Sequence, residues 1–270
     1  MRARDLLSPG FAYFALVTLF LYLPIGLLIL FSFNDSTSLI FPLKGFTLKW
    51  YNELLGASQL LEAMRHSLVL GLGSSLVATA FGTMAAIGIA RFDFPGRSIF
   101  LAIASLPLVI PYVVLGVALL ILFSSWGVPL SLWTVGAAHV VVNIPYVMLI
   151  VAARLAGFEQ NLEEAAMDLG ATPLVTFWKV TLPQIRTGLA VSGFFSFIIS
   201  WDQVETSLFL VKTDNKTLPV EMFYYLQRQQ DPVIAALSTF LIAVAVVVAI
   251  VAVLTVNPRD LQRLLSAGGR

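Results

Sequence analysis

The chain has 270 residues, 59% hydrophobic and only 11% charged, with a formal net charge of +1. Its mean hydropathy is +0.90; soluble domains carry about 25% charged residues, so this composition is that of an integral membrane protein. The absence of cysteine excludes disulfides, thiolate zinc sites and cysteine nucleophiles. The two histidines, His66 and His139, are too few for a histidine-rich metal site, and the small net charge gives no reason to invoke nucleic acid.

Apolar runs of about 20 residues, the length a helix needs to cross a bilayer, predict an all-α polytopic fold occupying residues 1–270 as one transmembrane domain. The first run, 11–33, follows a basic start at Arg2 and Arg4. It outlasts a signal-peptide core of about 7–15 residues and lacks a small-residue cleavage site, so it reads as an uncleaved span. A mixed segment follows, with a short helix expected at 48–55 and with Phe46, Trp50 and Tyr51 suited to a membrane interface. The second span, 67–90, contains Gly71, Gly73, Gly82 and Gly88, which favour close helix packing. The third, 99–123, carries Pro107 and Pro111, which free backbone groups and predict a kink. The fourth, 132–153, contains His139, Asn143 and Pro145. After a polar island at 157–183 come a fifth span, 187–211, a polar segment to 231, a sixth span, 232–256, and a basic tail. The polar segment is either a contact for an external protein or an ordinary connection.

In the island, Gln160, Asn161, Glu163, Glu164 and Asp168 alternate with small apolar residues at helical spacing. This predicts a short amphipathic helix able to dock on a partner, a break at Gly170, a second short helix from Ala171-Thr172-Pro173, and a stop at Pro183. The plain alternative is a loop between membrane helices. With the N-terminus inside, Arg91, Arg97, Arg154, Lys179, Arg186 and the tail arginines fall on the cytoplasmic side. Lys44, Lys49, Arg65, Lys212, Lys216 and Arg228 fall outside. The inner loops are shorter and denser in positive charge, which puts both termini and the island in the cytoplasm.

The fifth span holds Trp201, Asp202 and Glu205. A carboxylate at a helix centre costs about 2.5–3.5 kcal/mol on insertion scales, so it usually faces a cavity or a partner. If the helix continues, Asp202 and Glu205 share a face, about 28 Å above Pro183 at about 1.5 Å per residue. Two carboxylates beside Trp201 suit a cationic amine, by charge and by cation–π contact; the other reading is a pair of hydrated groups at the outer interface. His139 and Asn143, four apart in the fourth span, either line the same pathway or make a structural interhelical bond. With no histidine pair at metal spacing and no Ser/His/Asp cluster, an enzyme is not indicated. No Gly-x-x-x-x-Gly-Lys-Ser/Thr loop is present to cradle ATP phosphates.

Glu164-Ala165-Ala166, then Gly170, then Val180 and Leu182-Pro183 stand at the spacing of the EAA motif, with Val180 where isoleucine is usual. In this the chain resembles the permease subunits of ATP-binding-cassette (ABC) importers. Phe33-Asn34-Asp35-Ser36, Gly45-Phe46-Thr47-Leu48-Lys49-Trp50-Tyr51, Thr217-Leu218-Pro219 and Ala236-Leu237-Ser238-Thr239 are similar to the spermidine/putrescine subgroup, so the resemblance covers most of the chain. It implies the type I importer fold with six transmembrane helices, in a bacterial cytoplasmic (inner) membrane. Glu163, Glu164, Ala165, Ala166, Asp168, Gly170, Leu182 and Pro183 would then belong to coupling helices seated on an ATPase. Glu164 would be the anchor contact, or else a carboxylate stabilising its helix N-terminus by a few tenths of a kcal/mol. The implied partners are a paralogous permease, two ABC ATPase subunits that use ATP and Mg, and a periplasmic or extracellular substrate-binding protein; this chain itself needs no cofactor. The implied cargo is putrescine or spermidine. Another small aminated solute, such as GABA or an aminophosphonate, and a non-transport membrane scaffold are the alternatives.

Overall fold

A computed structural model describes residues 9–157, 160–229 and 231–255. The basic start at Arg2 and Arg4, the tail from Val256 with Arg259 and Arg263, and positions 158 and 159 of the island lie outside the described residues. Within the chain read above as one membrane domain, two compact units gather, one from 1–58 with 224–270 and the other from 59–223.

The first unit contains helices α1 (Pro9–Ser32), α2 (Lys49–Gly56) and α11 (Val233–Thr255). α1 and α11 are apolar on every face, as lipid-immersed helices are. They pack on each other, and α2 packs on α11. Polar side chains pin the loop between α1 and α2. The Trp50 indole donates to the Asn34 carbonyl at 2.8 Å, the Asn34 side chain accepts from the Lys44 amide at 2.9 Å, and Lys49 pairs with Asp35 at 2.7 Å. An isolated antiparallel bridge joins Asn34 to Phe46, so Phe33-Asn34-Asp35-Ser36 and the stretch from Gly45 to Tyr51 form one structure.

The second unit contains α3 (Ser58–Arg91), α4 (Arg97–Val109), α5 (Tyr112–Ser125), α6 (Leu132–Ala156), α7 (Asn161–Asp168), α8 (Pro173–Thr176) and α9 (Leu182–Asp202); α10 (Leu218–Arg228) begins in it and ends in the first unit. α6 and α9 run antiparallel: Leu155 and Ile185 share a buried cluster near one end, while His139 meets Ser200 towards the other. Ala86 and Ile89 of α3 join Val147, Met148 and Val151 of α6 in that cluster. The helices approach this closely at Gly82, where an added Cβ would lie 2.6 Å from Val147 Cβ and 3.0 Å from the Ile144 carbonyl. Gly82→Ala is therefore expected to lower stability by about 1–3 kcal/mol through overpacking. Gly88→Ala, at a position with nothing within 4 Å, should be neutral or slightly stabilising, because alanine is the better helix former. Thermal unfolding of the two variants in detergent checks the contrast.

Among the described residues, five helical stretches are long and apolar enough to cross a membrane, or six if α4 and α5 count as one. That pair departs from a kinked span at 99–123: its helices bend by 109°. Pro111 makes the break, since it forces Ile110 into extended backbone (φ −73°, ψ 129°); Pro107 sits inside α4 without ending it. The second span starts earlier than 67, at Ser58. The fifth differs at both ends from 187–211. It stops at Asp202, and its helical path begins at Pro173. Pro183 is therefore no stop. A π-helical turn at Phe177–Thr181 precedes it, and Pro183 occupies the first turn of α9, where an amide is not required.

Candidate functional site

Glu163 and Glu164 both lie in the first turn of α7. Neighbouring positions on a helix point about 100° apart, and here one side chain is buried and the other exposed. Glu163 is 8% exposed; its Oε2 lies 2.8 Å from Arg91 Nε, and its Oε1 accepts from the Thr181 hydroxyl at 2.7 Å. Glu164 accepts from the Gln160 side chain at 3.2 Å on the outer face, beside exposed Ala165 and Asp168. Ala166 is half-buried, Leu182 packs against the α3–α6–α9 cluster, and Pro183 is exposed.

α7 ends in a left-handed glycine. Gly170 has φ +89°, its amide donates to the Met167 carbonyl at 2.9 Å, and the Ala171 amide donates to the Ala166 carbonyl at 3.1 Å. These two bonds form a Schellman closure, which uses carbonyls the helix end leaves unpaired. Thr172 caps α8 by accepting from the Val175 amide at 3.4 Å, and Pro173 takes the first helical position. Leu162, Met167, Leu169, Leu174 and Trp178 are exposed around this turn, Leu169 to 89%. A polar docking face does not anticipate these apolar side chains; their signal in the sequence is five large hydrophobes set among the polar residues of the island.

At the other end of the same unit, two broken helices meet. α9 stops at Asp202, where Gln203 adopts extended backbone (φ −72°, ψ 102°). Asp202 and Glu205 therefore do not share a helix face: Asp202 is the last residue of α9 and Glu205 lies in a following turn. The break persists because the bonds beyond it are tertiary. The Gln203 side chain donates to Thr206 Oγ1 at 2.8 Å, and Thr206 Oγ1 donates to the Tyr112 carbonyl, beside Pro111, at 3.3 Å. Gly116 makes room for this contact, since a Cβ there would lie 3.1 Å from the Thr206 backbone. Both carboxylates are exposed. Trp201 is half-buried, its ring 5.9 Å from that of Phe197. The Tyr112 and Tyr146 hydroxyls meet at 2.7 Å, and Glu205 lies near enough to act electrostatically on Tyr112. The tyrosine pair is absent from the site expected above; its one local sign was a hydroxyl-bearing aromatic directly after Pro111.

His139 is 1% exposed and spans the break from behind. Its Nδ1 lies 2.6 Å from Ser200 Oγ and its Nε2 lies 2.8 Å from Ser207 Oγ. Ser207 donates to the Gln203 carbonyl at 2.8 Å. Ser200 Oγ is 2.8 Å from Ser74 Oγ on α3, and Ser74 donates to the Leu70 carbonyl at 2.6 Å, so the imidazole joins a chain of hydroxyls that ends on a backbone carbonyl on each side. Asn143 donates to the His139 carbonyl within α6 at 2.8 Å. Of the two readings open for this pair, His139 takes the interhelical bond, and neither side chain faces open space. His139→Leu removes one partner each from Ser200 and Ser207, which keep Ser74 and the Gln203 carbonyl, at about 0.5–1.5 kcal/mol for each hydrogen bond lost. The expected result is a lower unfolding temperature and proteolytic nicking between 203 and 217, to be read by limited proteolysis in detergent.

The family model described as binding-protein-dependent transport system inner membrane component matches residues 78–260. The chain belongs to that family. The permease is 33% identical over 231 residues to the spermidine/putrescine transport system permease protein PotC of Escherichia coli strain K12, covering 86% of this chain and 87% of the relative. It is 32% identical over 252 residues to the putrescine transport system permease protein PotI of the same strain, at 91% and 89% coverage. A solved bacterial ABC transporter involved in the import of the acidic polysaccharide alginate shares the fold, with a TM-score of 0.72 at 15% identity over 95% of this chain and 99% of that one. Membership makes the chain a permease subunit of an ABC importer, multi-pass in the inner membrane. The matched residues contain both the α7–α8 turn and the helix breaks.

Proposed function

We propose that the permease carries cationic polyamines such as putrescine and spermidine, that α7 and α8 dock on an ABC ATPase, and that the two helix breaks form its share of the pathway. One observation carries the cargo reading: α9 ends inside the bundle and leaves Asp202 and Glu205 exposed, Glu205 near Tyr112. His139 lies seven residues into α6, about 10 Å from its start, and Ser200 meets it there. α9 therefore stops short of the level at which α6 begins. Non-helical backbone at such depth is tolerated where it is buried in protein or lines a water-filled cavity, and discontinuous helices mark substrate sites in transporters. A polyamine is a chain of ammonium groups separated by methylenes. Two acceptor-only carboxylates flanked by aromatic rings match that alternation by charge and by cation–π contact. The polyamine names of the two relatives point the same way.

The rest of the machine follows from the same reading. The island is cytoplasmic, as are both termini, and the exposed apolar residues around Gly170 give an ATPase groove something to bury. A paralogous permease completes the pathway, two ATPase subunits bind ATP and Mg so that this chain holds no cofactor, and an external binding protein delivers the polyamine. ATP-driven closure moves α7, and the attached helices rock between inward-open and outward-open states. Glu164 on the outer face of α7 is the polar contact to the ATPase. The test is reconstitution of the purified complex in proteoliposomes. Co-purification of an ATPase, its stimulation by a polyamine-loaded binding protein and uptake of labelled spermidine are expected. Stimulated uptake of a different solute, with spermidine ignored, would remove the polyamine reading and keep the importer.

A further inference from the structure

Glu163 stands next to the residue assigned to the ATPase, yet its carboxylate turns into its own chain. It bonds Arg91, the last residue of α3, and Thr181, the last residue of the π turn that leads into α9. The Arg91 and Glu163 side chains are only 12% and 10% exposed. The carboxylate sits in the first turn of α7 and the guanidinium in the last turn of α3, the helix ends at which each charge is favoured. One side chain thus ties α7 directly to α3 and α9, across the Gly170 turn that separates α7 from α8 along the chain.

We propose that Glu163 is the joint that delivers displacement of α7 to α3 and α9, a positioning residue that makes no contact with the ATPase. The proposal rests on α7 being the docking helix. α3 and α9 meet α6 in the buried cluster of Ala86, Ile89, Met148, Val151, Leu155 and Ile185. A shift received at Glu163 therefore enters a packed unit, and interiors at crystal-like density transmit strain rather than damp it. That unit carries the α9 break with Asp202 at its far end. For α7, the route to the pathway is one ion pair, one hydroxyl bond and a helix; α8 is already continuous with α9.

The experiment uses the full complex in proteoliposomes with labelled spermidine, and reads substrate moved per ATP hydrolysed together with retention of the ATPase on an affinity-tagged permease. Glu163→Gln keeps the size of the side chain and removes its charge; substrate moved per ATP is expected to fall about tenfold, the size of an ordinary coupling free energy, with the ATPase still bound. The reversed pair, Glu163→Arg with Arg91→Glu, is expected to recover most of the loss, which a merely disrupted fold would not do. Thr181→Val, nearly isosteric, should give a smaller loss in the same direction. Unaltered coupling in Glu163→Gln overturns the proposal, as does detachment of the ATPase by Glu163→Gln, which would make Glu163 a docking contact. A reversed pair no better than either single variant also overturns it. If the wild-type permease retains no ATPase at all, the docking reading of α7 fails first and takes this joint with it.

Discussion

Asp202→Asn is expected to cut polyamine uptake by about tenfold or more while the permease still assembles with its ATPase. An ammonium 4 Å from a carboxylate gains about 4 kcal/mol at the effective dielectric near a protein surface and about 1 kcal/mol in bulk water. Asp202 is exposed at a helix break inside the bundle, between those limits, and about 1.4 kcal/mol already corresponds to tenfold. The amide keeps the size and loses only the charge, so a defect reports electrostatics. Glu205→Gln should have the smaller effect, because Glu205 lies on a turn outside the helix, and the double variant the largest. Raising the ionic strength should weaken wild-type uptake and leave the residual uptake of the double variant nearly constant. Initial uptake rates in proteoliposomes at two salt concentrations decide the matter. Normal uptake by Asp202→Asn would return both carboxylates to the status of hydrated surface groups.

The parts of this site that were legible in the sequence are those set by local chemistry. Gly170 ends α7 because a left-handed residue is wanted there, and Thr172-Pro173 opens α8 because the pair caps and presets a first turn. The spacing from Glu164 to Leu182-Pro183 matches the EAA motif without coordinates. What escaped depends on tertiary partners. The α9 break was hidden because nothing between Ser200 and Ser207 is a helix breaker; the chain leaves the helix where Gln203, Thr206 and Ser207 find bonds to each other and to Tyr112. Periodicity assumes a continuing helix, and so it put Asp202 and Glu205 on one face. The same blindness applies to Glu163 and Glu164: two identical side chains differ only in helix phase, and the phase is set by Arg91 and Thr181, far away in sequence. Pro183 misled in the opposite sense, since proline stops a helix interior but not a helix first turn.

Gly170→Trp separates transport from ATP hydrolysis if the turn after α7 is the docking surface. A Cβ at Gly170 meets nothing within 4 Å, so the side chain is accommodated in the isolated permease and points into the space a partner would fill. The backbone is the other cost: at φ +89° a residue with a Cβ is strained by about 1–2 kcal/mol. Neither effect reaches the buried α3–α6–α9 cluster, and the variant should insert and accumulate like wild type. Three substitutions then divide steric from conformational loss. Gly170→Asn tolerates the left-handed region and should couple nearly as wild type. Gly170→Ala carries the strain without bulk and should lose little. Gly170→Trp carries both, and its transport per ATP should fall about tenfold, comparable to an ordinary coupling free energy. Equal losses in Ala and Trp would mean that the turn matters only as a helix end. Normal transport by Gly170→Trp in vesicles would mean that no partner closes on this surface, and the exposed Leu169, Leu174 and Trp178 would need another explanation.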